Sequence, residues 1–267
     1  MPTLTRRQKA TATQASLYLV LIVAVALAAF LIDWTAVKAQ FFNTEGLKHN
    51  WGELITTGVK NTAIYTIIAF AGGLVLAMTL ALMKLSPIGL YRWLATAYIE
   101  FFRGLPALIV MLAMAFGVPI AFHWQPPGGS LGAGLIGLMM VAGAYMAETL
   151  RAGIQAVPKG QVEAARSLGM SGSRTMASVV VPQAIRIVIP PLTNEFVLLI
   201  KDTSLLFIIG ATTDQRELVT VARDMQSSGF SAGTATSLTM AAILYLVITL
   251  PLTRLVAYLE KKQQRAR

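Results

Sequence analysis

Six apolar runs divide this chain, at 17–32, 61–83, 93–122, 131–147, 187–211 and 235–252, and each approaches or exceeds the length needed to cross a bilayer. About 20 such residues in a helix span the hydrocarbon core of about 30 Å. Inside lipid the backbone must satisfy its own polar groups, so runs of this kind fold as helices. Composition agrees: 55% of the 267 residues are apolar and 13% charged, against about 25% charged in an ordinary soluble domain. The expected fold is all-α, a polytopic membrane bundle of about six transmembrane helices. One long polar stretch, 147–186, interrupts it, with five basic and two acidic residues.

The net charge of +10 invites a nucleic-acid reading until the charges are placed. With the N-terminus inside, the inner segments 1–15, 84–92, 151–186 and 254–267 hold three, two, five and five Lys or Arg, 15 of the 22 present. Lysine and arginine concentrate in cytoplasmic loops of membrane proteins. The polar stretch and both termini are therefore expected on the cytoplasmic side, and no nucleic-acid partner is needed. The first run has two readings, a retained span or a signal peptide; its length favours the span, and cleavage would leave the orientation of the other five unchanged. With no cysteine, disulfides, cysteine-ligated zinc and thiol catalysis are excluded. His49 and His123 stand alone, so no metal-ligand spacing is present.

Within the polar stretch, Val157-Pro158-Lys159-Gly160 reads as a turn into a helix, with Pro158 tolerated in its first turn. The helix continues through 161–168, and Gly169 is placed to close it in a left-handed cap. Ser171 or Ser173 can cap a second helix running to Pro182. Glu163 and Arg166 fall at i, i+3, and Ala164-Ala165 form a small face suited to close docking.

EAARSLG at 163–169, nine residues and then VVVP at 179–182 resemble the EAA loop of ATP-binding-cassette importer permeases. Val179 and Val181 occupy the two aliphatic positions of that pattern. YIEFFRGLP at 98–106, AETLRAGIQAVPKGQ at 147–161 and PPLTNEFVLLIKDTSLL at 190–206 resemble the polar amino acid branch. The resemblance spans about 57–260. It implies a permease domain there, with a five-helix core. Residues 1–56 then form a basic segment, first span and outer loop, and 261–267 a basic tail. It also implies an ATP-driven importer of polar amino acids in the bacterial cytoplasmic (inner) membrane. Pro158, Gly160, Glu163, Ala164, Ala165, Gly169 and Pro182 would belong to a coupling helix seated on a nucleotide-binding ATPase. The implied partners are two such subunits, a second permease subunit (a homo- or heterodimer) and an extracytoplasmic solute-binding protein.

The chain has no G-x-x-x-x-G-K-[ST] segment and no Gly-Lys pair, so ATP and Mg are expected on the partner and no catalytic residue or cofactor here. Ionisable groups in spans cost about 2.5–3.5 kcal/mol on insertion scales and face protein or a cavity. Arg103, Glu148, Asn194, Glu195, Lys201 and Asp202 are accordingly the candidates for a translocation path, with ion pairing inside the bundle as the competing reading. Asn194 with Lys201, and Glu195 with Asp202, are seven apart and form two adjacent stripes. The alternative function, an ion-gradient-driven secondary transporter, calls for inverted repeats, and no self-similar halves are visible.

Overall fold

The computed structural model describes residues 6–265, which form helices and connecting turns with no strand among them. Helix α1 (Arg6–Leu31) leads into two short helices, α2 (Trp34–Phe41) and α3 (Thr44–His49). The long α4 (Trp51–Leu85) follows, then α5 (Gly89–Gly104) and α6 (Ala107–Phe122). Next come α7 (Gly129–Gln155), the loop helix α8 (Lys159–Ser167) and α9 (Gly172–Ile208). The short α10 (Leu218–Ser227) and the long α11 (Thr236–Arg265) complete the chain. Five of these are long and apolar enough to cross a membrane, and the bent pair α5–α6 brings the number to six.

Short side chains fix the helix starts. Asp33 accepts from the N–H groups of Thr35 and Ala36 at 2.9 and 3.0 Å, and Asn43 does the same for Glu45 and Gly46 at 3.0 and 3.1 Å. These contacts satisfy donors that a helix leaves unpaired. Glu217, almost fully buried, caps α10 by accepting from Val219 and Thr220 N–H, both at 2.7 Å. Burial pushes its carboxyl above the usual range, and the donors around it hold that rise back.

The third apolar run is not one straight span. α5 and α6 meet at 105° around Leu105-Pro106. Proline lacks an N–H and drives its predecessor out of the helical region; Leu105 is extended at φ −105°, ψ 142°. The second span begins near residue 51, about ten residues before its expected start. The second arm of the polar stretch does not stop at Pro182 but runs on as α9. In two places the ladder absorbs a proline through a wider turn, with Val118 N–H reaching Ala113 C=O ahead of Pro119 and Val181 N–H reaching Met176 C=O ahead of Pro182. Such π-turns keep a helix continuous. Pro190 and Pro191 also lie inside α9 without ending it.

α7 is the hub. Its buried residues are mostly small (Ala133, Gly137, Ala142, Gly143, Ala144, Ala147, Gly153), which lets α4, α5, α6 and α9 approach its backbone. A second apolar cluster, Leu54, Leu218, Val221, Ala222, Met240 and Ala241, joins α4, α10 and α11 at the end away from α8. There Asn61 donates to the carbonyls of Asp214 and Arg216 at 2.8 and 2.9 Å, and Tyr65 to that of Gln215 at 2.8 Å. No residue of α1 with a described side chain is buried.

One close crossing pairs Gly73 of α4 with Gly143 of α7. A Cβ on Gly143 would stand 2.8 Å from Leu76 Cδ2 and 3.2 Å from the Gly73 carbonyl oxygen, and one on Gly73 would lie 2.8 Å from Met146 Cε. Overpacking of this kind costs about 1–3 kcal/mol. Gly143→Val is therefore expected to lower the thermal unfolding midpoint of the detergent-purified protein. Gly104→Ala, whose Cβ meets nothing within 4 Å, is expected to leave it unchanged. Equal midpoints for the two would refute the crossing as a stabilising contact.

Candidate coupling loop and translocation cavity

The loop helix is short and capped at both ends. Pro158, at φ −57° and ψ 130°, precedes α8 and needs no donor there. At the other end Gly169 adopts φ +78°. Its N–H reaches Arg166 C=O at 3.0 Å and the next N–H, of Met170, reaches Ala165 C=O at 3.2 Å. This pair of bonds is the Schellman closure, and the positive φ is why glycine stands at its corner. Ser171, rather than Ser173, caps α9, its Oγ accepting from Arg174 N–H at 3.3 Å. Arg166 does not pair with Glu163; it donates to Met170 C=O at 2.9 Å.

α8 rests on the spans through Val157, Val180 and Ala184, with Ile154, Val162 and Ile187 alongside. Ala165 is buried on that inner side, whereas Glu163, Ala164 and Gly160 are exposed. The small-residue pair is thus split between the two faces. Leu168 is the apolar side chain that stands out, 85% exposed at the end of α8. Sequence reasoning missed it because it closes the helix on the periodicity of a buried residue. Pro182 is exposed and sits in the first turn after the π-segment of α9.

The candidate path residues separate into three settings. Glu195 and Asp202, both half-buried, line a cavity of about 360 Å³ together with Leu105, Pro106, Ala107 and Tyr145. The cavity lies where α5 breaks into α6, against α7 and α9. Arg103 stands at its edge, its guanidinium 5.3 Å from the Tyr145 ring centroid. Asn194 and Lys201 are exposed on the neighbouring stripe of α9. Glu148 is held elsewhere, accepting from Lys84 Nζ at 3.1 Å and from Arg151 Nε at 3.0 and 3.1 Å. Arg151 in turn donates to Gln155. This cluster ties the end of α4 to the end of α7 on the loop side. Tyr145, one turn before Glu148 on α7, joins the cavity although it is not among the path candidates. Among the described residues no group of three metal-ligating side chains forms.

A bundle of this kind, with an interrupted span, a cavity lined by carboxylates at the break and a capped helical loop on one face, fits the membrane-spanning part of a transporter. Residues 73–265 match the family described as binding-protein-dependent transport system inner membrane component, and the chain belongs to it. It is the permease subunit of an ATP-binding-cassette importer, a multi-pass inner-membrane protein; hydrolysis of ATP resides in a separate subunit. Such a permease works with ATPase and binding-protein partners. The gradient-driven alternative has no support. The chain is 38% identical over 209 residues to a probable glutamine permease, GlnM, of Bacillus subtilis (strain 168), covering 78% of this chain and 93% of that one. It is 30% identical to the arginine transport system permease ArtQ of the same organism, over 78% and 91% of the two chains. Among solved structures, an amino acid ABC transporter with histidines is 34% identical with a TM-score of 0.68, covering 79% of this chain and 94% of that one.

The Glu148 cluster makes a ranked prediction. Two cations share one partly buried carboxylate, with side chains 21–24% exposed. Glu148→Gln leaves Lys84 and Arg151 facing each other without a counter-charge, whereas Lys84→Gln leaves an intact Glu148–Arg151 pair. Stranding a charge costs more than the pair contributes. Thermal scans are expected to show the larger loss for Glu148→Gln, and the reverse ranking would refute this account.

Proposed function

We propose that this permease conducts polar amino acids, binding them transiently at Glu195 and Asp202 and being opened and closed through α8. The observation that carries the reading is the continuity of α9: one helix begins at the lever beside Gly169 and ends with the two cavity carboxylates. A zwitterion needs a partner for each pole. Glu195 and Asp202 suit its ammonium, and Arg103 at the cavity edge suits its carboxylate. Relatives named for glutamine and arginine transport lie on the same side. In this scheme ATP and Mg are bound by the partner, both termini and α8 face the cytoplasm, and a second permease copy or a similar chain completes the pore.

Leu168, with Ala164 and Glu163 beside it, is the surface offered to the ATPase subunit. A few anchoring side chains carry most of the energy of a docking surface, and a charge placed where an apolar one is to be buried opposes docking. Leu168→Asp is expected to abolish co-purification of the ATPase subunit while the permease remains inserted and folded; retention of the subunit would exclude α8 as its seat. For the path, transport is measured in proteoliposomes holding the assembled importer and its binding protein. Glu195→Gln is expected to lower amino acid uptake roughly tenfold, with ATP hydrolysis still stimulated by the loaded binding protein. Unchanged uptake across a panel of amino acids would remove Glu195 from the path.

A further inference from the structure

A groove of about 470 Å³ lies between α9 and α11, lined by Arg186, Ile189, Pro190, Leu259, Lys262 and Gln263. We infer that it binds the headgroup of an anionic phospholipid in the leaflet on the loop side of the membrane. Its walls are fixed rather than incidental. Pro190 has no N–H to give the carbonyl four residues earlier, and that carbonyl, of Arg186, accepts instead from Gln263 Nε2 at 2.8 Å. The proline therefore creates an acceptor inside α9, and the side chain that fills it holds α11 alongside.

The chemistry of the lining points to one kind of occupant. Ile189, Pro190 and Leu259 form an apolar floor, and Arg186 and Lys262 are exposed at its rim. Neither cation forms an ion pair with any described acid. Glu260, two residues from Lys262, lies about 200° around the helix from it. Both cations stand where an apolar span ends, and Tyr258, 61% exposed, marks that level as the membrane interface. Leu255, 45% exposed and one turn before Leu259, extends the floor toward the hydrocarbon. A phosphodiester between the two cations with its acyl chains over this floor satisfies every part of the groove; basic pockets between spans recognise anionic lipids in this way. A soluble anion would leave the apolar floor bare.

The test uses the assembled importer, delipidated in mild detergent and titrated with phosphatidylglycerol or phosphatidylcholine, with bound lipid read by native mass spectrometry. Wild type is expected to retain phosphatidylglycerol in preference to phosphatidylcholine. Arg186→Gln with Lys262→Gln is expected to reduce that retention roughly tenfold, with phosphatidylcholine unaffected. The charge-preserving pair Arg186→Lys with Lys262→Arg is expected to keep the preference, which separates lost charge from lost fold. Excess inorganic phosphate is expected not to displace the lipid. Equal retention of the two lipids by wild type, undiminished retention in the glutamine pair, or displacement by phosphate alone each overturns the inference. So does loss of the ATPase subunit or of a second permease copy from the glutamine pair, since either assigns the groove to a protein partner.

Discussion

Hydrogen bonding of the backbone in a medium without water governs this structure. A helix that crosses lipid has no solvent to satisfy a carbonyl left over by proline, and four of the prolines in the spans show three ways of meeting that constraint. Ahead of Pro119 and Pro182 the ladder widens by one residue. At Pro190 a glutamine from α11 supplies the missing donor. Only at Pro106 does the helix stop and turn, through 105°, and that bend borders the polar cavity. Irregular backbone at membrane depth is tolerated where it is buried in protein or faces such a cavity, and the largest departure from helicity coincides with the candidate site.

The remainder of the architecture keeps that cavity in register with the lever. The Gly73–Gly143 crossing brings α4 and α7 to backbone contact, and the carboxylate of Glu148 gathers Lys84 and Arg151 at one end of the same pair. Packing density and charge compensation act together there. The crossing removes freedom to slide, because a packed interior of small residues has no space into which a helix can shift. The ion cluster sets the end nearest the lever, in surroundings where an unshared charge is expensive.

Much of this was legible in the residues, and the limits have physical causes. Run lengths marked the spans because lipid imposes one rule on every segment. The φ requirement at Gly169 and the missing N–H of Pro158 located the loop helix within a residue or two. Pro106 carried the signal for the bend, yet Pro119, Pro182 and Pro190 carry the same local signal without bending their helices. Which outcome occurs depends on neighbours that a linear reading does not supply. The same reason divided the path candidates: spacing put Glu195 and Asp202 on one stripe, but only the bundle brings Leu105 and Tyr145 opposite them. Likewise Ala164 and Ala165 are adjacent in sequence and end on opposite faces of α8.

α9 runs unbroken from Gly172 to Ile208, so the start of the loop's second arm and Asp202 are separated by about 45 Å of one rod. Along that length the hydrogen-bond ladder loosens at two places, the wider turn at Met176–Val180 and the proline pair Pro190-Pro191. On the proposed coupling, the loop and the cavity would move as two points on one part, with whatever yielding occurs confined to those two turns.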